Sequence, residues 1–224
     1  MKHYYLLLLL SIISVTVTAQ QNEKYAIEFS ASTGVGWYTS LDDVDKKLND
    51  MGHPSLTKDM DILQTGGGNF TFKMNKWGFI IGGYSYNIKT SPNSDKHYYD
   101  GSSETYELGL SYDLINADWF TFSPYITVGT EDAEIFLDYK FQDGVTPTSL
   151  SIVANESNIT TGGKFYFRVK TWEKDRLQLF INTEVSYKFS MDGTWRFNNM
   201  LIDSDDFNLS NVSAMGGLTL RYLF

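Results

Sequence analysis

The chain has 224 residues, no cysteine and a formal net charge of −9. Without thiols it forms no disulfides and no thiolate metal sites, and its acidic surplus argues against nucleic acid as a partner, because phosphate neutralisation needs a basic surface. The length fits one domain, and an aromatic content of 16% is typical of β-structure.

The first 19 residues show the three regions of a secretory signal peptide. A basic start at Lys2 and His3 precedes an apolar run that begins at Leu6, and Val17-Thr18-Ala19 offers a small-residue cleavage site. The run is too short for a spanning helix, and the alternative is an uncleaved helix at a membrane interface. We predict a signal peptide at residues 1–19 and a single domain over residues 20–224.

Eight segments then alternate apolar and polar residues. A period of two predicts strands with one apolar face, and each segment has about the ten residues that a tilted membrane strand needs. In the third segment the pattern assigns Ile80, Tyr84, Tyr86 and Ile88 to the apolar outward face. The segments are 26–38, 63–75, 78–88, 105–115, 119–130, 158–170, 177–190 and 212–224.

The connections between these segments alternate in length. Residues 75–76, 116–118 and 171–176 are short, whereas 39–62, 89–104, 131–157 and 191–211 are long and polar. Trp77, Trp119 and Trp172 each lie at one short connection, as in the aromatic girdle of a membrane barrel. The last strand would leave an open edge unless it pairs with the first, so we predict a closed barrel.

The long connection at 131–157 has an alternating pattern of its own. Ile135, Leu137 and Tyr139 are out of phase with strand 119–130, which predicts a bulge near Asp132-Ala133. A raised hairpin would follow. It is either a docking edge for a protein partner or a loop that packs on its neighbours.

The face opposite the apolar one carries charges of both signs. Closure would place Arg221 beside Glu28, and a barrel of eight strands is just wide enough to be filled by side chains. We predict a paired network inside the barrel, and the alternative is a narrow ion path. The residues of this predicted interior network are Glu28, Lys73, Glu107, Asp113, Lys164, Arg168, Glu184 and Arg221.

Candidates for catalysis or metal binding are poor. His53 and His97 lie in long connections, and a Ser-His-Asp set around His97 rests on proximity in sequence alone. The acidic clusters at 42–45 and 203–206 lack the spacing of a calcium-binding EF-hand loop. We therefore assign no catalytic residue, metal ligand or cofactor.

The whole pattern resembles the small eight-stranded outer-membrane barrels of Gram-negative bacteria, of the OmpA and OmpX type. The ending matches the C-terminal assembly signal of such proteins at Leu218, Leu220, Tyr222 and Phe224. The resemblance implies an all-β, antiparallel, up-and-down transmembrane barrel with short periplasmic turns and long extracellular loops. It also implies export to the outer membrane, insertion by the barrel-assembly machinery, and contact with outer-membrane lipid and lipopolysaccharide.

Fold alone does not settle function. The first hypothesis is a non-enzymatic surface protein, a barrel anchor whose four loops bind a partner or lie against lipopolysaccharide, with a narrow pore or a secretion-accessory barrel as alternatives. The second is a lipid-modifying enzyme, which would need a histidine and a serine at the membrane face. The third is a soluble lipocalin-like carrier, whose outward faces should be polar.

Overall fold

The structure of the chain is a computed structural model that describes residues 25–39, 46, 49–50, 63–89, 97–139, 149–172, 176–198, 200–202 and 209–224. The predicted signal peptide, His53 and the acidic clusters at 42–45 and 203–206 lie outside these residues. Ten strands are present in the described part. They are β1 (Tyr25–Tyr38), β2 (Leu63–Met74), β3 (Trp77–Lys89), β4 (His97–Tyr112), β5 (Ile115–Asn116), β6 (Phe120–Tyr139), β7 (Ser149–Trp172), β8 (Leu177–Phe197), β9 (Met200–Ile202) and β10 (Asn211–Leu223).

Eight of these strands form a closed antiparallel ring. Strands β1, β2, β3, β4, β6, β7 and β8 pair in chain order, and β10 pairs with both β8 and β1. The short β5 pairs with β6, and β9 pairs with β8. The predicted eight-stranded up-and-down barrel is therefore confirmed.

The barrel has two different ends. At the turn end, the short connections join β2 to β3, β4 to β6 and β7 to β8, and Asn75 takes a φ of 58° in the first of them. Asparagine tolerates this left-handed conformation better than most residues. At the loop end, β4, β6, β7 and β8 rise beyond the other strands and carry β9 on the far side. We call this extension the raised sheet, comprising residues 97–104, 132–139, 149–156, 193–197 and 200–202.

The raised sheet corrects one prediction, because β6 runs without interruption through Asp132 and Ala133. Its pairing with β4 and with β7 is in continuous register across the described residues. The irregularity lies instead between β7 and β8, where Glu156 pairs with Gly193 and Asn158 with Ser190. Two residues of β8 therefore oppose one of β7, which defines a bulge at residues 191–192.

A second correction concerns β3, whose faces are opposite to the predicted assignment. Ile80, Tyr84 and Tyr86 point inward and are buried, whereas Phe79 and Ile81 point outward and are about half exposed. The side chain of the fourth predicted residue, Ile88, lies outside the described part of the structure. The two-residue turn pairs Met74 with Trp77 and therefore Phe72 with Phe79. Because paired residues share a face, the outward position of Phe72 forces Phe79 outward as well.

The apolar core lies inside the loop end. It includes Leu63, Tyr86, Ile135, Trp195 and Phe197, all nearly inaccessible to solvent. Among the described residues, no helix is long and apolar enough to cross a bilayer.

Candidate functional site

The charges of the barrel interior form three layers. The turn-end layer joins Glu28 of β1, Lys73 of β2, Arg221 of β10 and Asp113, which follows β4. Lys73 Nζ lies 2.7 Å from Asp113 Oδ1 and 3.1 Å from Glu28 Oε1, and Arg221 Nε donates to the same Glu28 oxygen. Two cations thus offset two carboxylates that are almost fully buried.

Aromatic rings cover this turn-end layer. The Arg221 guanidinium carbon lies 4.5 Å from the centroid of the Phe180 ring, and Lys73 Nζ lies 5.5 Å from the centroid of Tyr166. Such cation–π contacts strengthen when the cation is desolvated. Arg168 also lies over Phe180, at 5.8 Å, but is only half-buried.

The middle layer contains Glu107, Lys164 and Glu184. Lys164 Nζ lies 3.7 Å from Glu184 Oε2, and the hydroxyls of Tyr84 and Tyr125 donate to Glu184 Oε1. Glu107 accepts from the hydroxyls of Thr127 and Thr160, each at 2.6 Å. Buried carboxylates are thus held by hydrogen bonds as well as by charge.

The loop-end layer was not predicted, and it consists of Glu131, Lys188 and Glu156. Lys188 and Ser103 both donate to Glu131. Lys188 could have been found from the sequence, because it continues the inward series Glu184, Ser186, Lys188 of the seventh segment. Glu131 and Glu156 lie in the connection 131–157, where the change of alternation predicts a bulge and therefore gives no inward positions.

Glu156 fastens the loop end of the barrel. Its carboxylate accepts from Ser190 Oγ, from Trp195 Nε1 at 2.8 Å and from the backbone N–H of Leu209 at 3.1 Å. Burial raises the pKa of the Glu156 carboxyl and nearby Glu131 adds to this, whereas the hydrogen bonds act in the opposite direction. The pKa of Glu156 is raised overall, so keeping its carboxylate ionised costs free energy in the folded protein.

The outer surface is predominantly apolar from the turn end to a row formed by Tyr106, Thr130 and Ser157, which pair across β4, β6 and β7. Below this row Leu108, Ile126 and Val128 point outward and are 50%, 53% and 56% exposed. Trp119 at the turn end is 66% exposed, and Trp77 and Trp172 are partly exposed there. Leu218, Leu220, Tyr222 and Phe224 lie outward on the last strand and just after it.

Above that row the polarity of both faces of β6 reverses, although β6 keeps its register with β4 and with β7. Asp132 and Glu134 point outward, whereas Ala133 and Ile135 point inward and are buried. The same strand therefore has an apolar outside below Thr130 and an apolar inside above it.

The predicted hairpin at 131–157 is part of the raised sheet. Its β6 edge pairs with β4 as far as Tyr139, and its β7 edge pairs with β8 as far as Phe197. A partner at this hairpin would therefore contact outward side chains and would not add a strand to either edge.

The sequence candidates for catalysis and metal binding lie only in part within the described residues. His97 begins β4, and within the described ranges no three His, Asp or Glu side chains converge as a metal site.

The fold is an eight-stranded antiparallel barrel with a charged interior and an apolar outer band. The predicted resemblance to the OmpA and OmpX type is confirmed at the level of fold. No protein-family profile matches the chain, and no curated protein sequence matches it.

Solved structures similar to the chain include several bacterial barrels. The attachment invasion locus protein Ail of Yersinia pestis shares 11% identity at a TM-score of 0.48, covering 90% of this chain and 100% of that one. A major outer membrane protein from Thermus thermophilus shares 14% at a TM-score of 0.47, with coverages of 88% and 99%. The outer membrane protein OprG from Pseudomonas aeruginosa shares 13% at a TM-score of 0.45, with coverages of 89% and 95%.

Proposed function

We propose that this protein is a non-enzymatic outer-membrane barrel that anchors the raised sheet on the cell surface. The observation that carries the proposal is the reversal of polarity at the Tyr106–Thr130–Ser157 row. A soluble barrel needs a polar exterior along its whole length, whereas a bilayer needs an apolar exterior only within its hydrocarbon core.

The apolar outer band, which is the outer surface between the turn end and the Tyr106–Thr130–Ser157 row, fits a bilayer in detail. Leucine, isoleucine, valine and phenylalanine side chains lie outward on all sides of the ring, including Phe29, Ile81, Leu110 and Val185. Exposed apolar patches of soluble proteins rarely exceed a few hundred Å². A charged interior under this band is also the opposite of what a soluble carrier of apolar ligands requires, which argues against the lipocalin-like hypothesis.

The interior supports an anchor better than a pore. Ion pairs join β1, β2 and β10 at the turn end, and the buried rings of Tyr166 and Phe180 lie against them. Barrels of eight strands are just wide enough for side chains to fill. The narrow-pore alternative predicts discrete conductance steps in a planar lipid bilayer, and we expect none.

The raised sheet supplies the surface that would bind a partner. Its outward side combines Glu134 and Arg196 with the exposed apolar residues Phe136 and Leu201, which are 47% and 68% exposed. Mixed apolar and charged side chains of this kind suit a protein contact. Insertion would depend on the barrel-assembly machinery, and the outer band would contact lipid and lipopolysaccharide.

Fractionation of cells that produce the full chain tests this proposal. The protein should enrich with outer membranes and migrate differently on electrophoresis before and after boiling, as a closed barrel does. Protease added to intact cells should cut only beyond the Tyr106–Thr130–Ser157 row. A soluble protein without a heat-dependent shift would overturn the proposal.

A further inference from the structure

An open groove lies on the outside of the barrel where the apolar band ends. It has a volume of about 510 Å³ and is lined by outward side chains of β6, β7 and β8 together with the adjoining backbone. The polar side chains that carry the argument are Thr130, Asp132, Asn155, Ser157 and Thr194. The size suits one or two sugar rings, since pockets of roughly 300–1,000 Å³ hold ligands of that scale.

The bulge in β8 shapes this groove. Two residues of β8 oppose Ser157, and the chain then returns to register with Gly193 beside Glu156. A Cβ at Gly193 would lie 2.6 Å from Glu156 Cγ and 2.9 Å from the Asn155 carbonyl oxygen, so only glycine fits this close approach. This close approach lies on the inner face, where Glu156 is buried, and it holds the β8 backbone against β7 beside the groove.

The lining exposes mostly carbon atoms with hydroxyl, amide and carboxylate groups among them, a combination that suits a sugar ring with its C–H faces and hydroxyl groups. Threonine and serine hydroxyls both donate and accept, and Asn155 Nδ2 donates to Asp132 Oδ1 at 2.5 Å, which orients the amide and the carboxylate toward each other. Each of these two groups keeps a second polar atom for a ligand. Such a mixture of donors and acceptors matches a sugar better than a quaternary ammonium group, which presents no donor.

The charges around the groove exclude an anionic headgroup. Glu104 lies directly opposite Asp132 on β4, and Glu134 lies two residues further along β6. Among the described residues of this region, the outward cation is Arg196. It pairs with Val153 and lies one row further from the apolar band than the groove. A phosphate bound to the groove lining would therefore meet a negative potential.

The position of the groove points to a lipid. The row directly below it is apolar, because Val128 pairs with Ile159 and Ile159 with Phe189. Tyr106 stands beside Thr130 and is 61% exposed, which offers a ring face at the level of the headgroups. A lipid whose sugar lies in the groove and whose acyl chains lie against Val128, Ile159 and Phe189 would contact the groove and the apolar row together.

We infer that this groove binds a glycolipid of the outer leaflet whose headgroup is an uncharged sugar of one or two rings. The inference rests on the proposed membrane function, because only a bilayer places acyl chains against Val128, Ile159 and Phe189. It adds a specific lipid to a surface that would otherwise contact lipids without distinction.

Native mass spectrometry of the folded barrel in detergent tests the inference. Digalactosyl diacylglycerol is titrated against phosphatidylcholine and phosphatidylglycerol with matched acyl chains. The galactolipid should bind about tenfold more tightly than either phospholipid. Asp132→Ala should weaken its binding about tenfold, and Thr130→Val, which keeps the side-chain shape, about threefold.

Two variants serve as matched controls. Glu134→Gln removes an outward charge above the groove, and Thr33→Val removes an outward hydroxyl on β1, so both should bind the galactolipid like the parent protein. Equal binding of all three lipids, or equal losses in the control variants, would overturn the inference, and a preference for phosphatidylglycerol would assign the groove to anionic lipids instead. The heat-dependent electrophoretic shift is measured on every sample, so that a failure of the membrane barrel itself is distinguished from a failure of the groove.

Discussion

Replacement of Lys73 by methionine tests whether the turn-end layer acts as one unit. Lys73 lies in β2 and contacts two carboxylates, at 2.7 Å to Asp113 and 3.1 Å to Glu28. Methionine keeps much of the side-chain volume and removes the charge. Arg221 remains bound to Glu28 in the variant, whereas Asp113 keeps the hydroxyl of Ser123 as its hydrogen-bond donor.

The magnitude follows from burial. The exposed fractions of Lys73, Glu28 and Asp113 are 3%, 0% and 2%, so water cannot replace the missing ammonium group. Removal of one partner from a buried ion pair costs about 3–5 kcal/mol, because the other charge is stranded. We expect Lys73→Met to lower the free energy of unfolding by about that amount, which is a change of roughly two to four orders of magnitude in the equilibrium constant.

The assay is urea unfolding of the barrel from lipid vesicles, followed by tryptophan fluorescence and by the heat-dependent shift. The double variant Lys73→Met with Asp113→Asn removes the stranded charge and should recover at least about 1 kcal/mol relative to the single variant. Lys76→Met, at the neighbouring turn, controls for the loss of a lysine. A loss below about 1 kcal/mol in Lys73→Met, typical of a solvated pair, would refute the reasoning.

Three further outcomes follow from the structure. Ile126→Lys should destabilise the barrel in vesicles by about 2–4 kcal/mol, whereas Glu134→Lys above the polarity reversal should cost less than about 1 kcal/mol, and urea unfolding of the two variants compares them. Gly109→Ala should impair refolding, because its Cβ would lie 2.1 Å from the Ile126 carbonyl oxygen, whereas Gly66→Ala meets its nearest atom at 3.6 Å and should refold normally. The pKa of Glu156 is raised above 4.5, so its contribution to stability is fully present below that pH and is lost as the pH rises through the folded-state pKa. The difference in unfolding free energy between the parent and Glu156→Gln should therefore depend on pH in this window, and a constant difference would contradict the assignment.

Most of the barrel could be predicted from the sequence because one face of nearly every strand is uniformly apolar. The exception is β3, in which Phe79 and Ile81 share the strand with Ile80, Tyr84 and Tyr86 on the other face. Alternation cannot choose between two apolar faces. The two-residue turn at Asn75 and Lys76 contains the missing information, since it fixes which residues of β2 and β3 pair.

The parts of the strands at the loop end could not be predicted from the alternation of apolar residues. Alternation predicts a slip of register where the apolar face changes, as at Ala133 and Ile135, because it assumes that one environment surrounds a strand along its whole length. In the structure the register is kept and the surroundings change. The predicted bulge also explains why Glu131 and Glu156 were missed, because their inward positions follow only when the strand is continued without a bulge.

The closure of the ring has a consequence for the order of assembly. If the short β5 and β9 are set aside, every ladder of the ring joins consecutive strands except the β1–β10 ladder, which joins Glu28 to Arg221. The sheet can therefore grow hairpin by hairpin, and only its last step must unite residues separated by 193 positions. Lys73 lies on β2, which pairs with β1, so Glu28 has a cation beside it whether or not β10 has closed the ring. Arg221 is the second cation beside Glu28 once β10 pairs with β1. Closure of the ring therefore leaves no unpaired carboxylate at this position of the β1–β10 ladder.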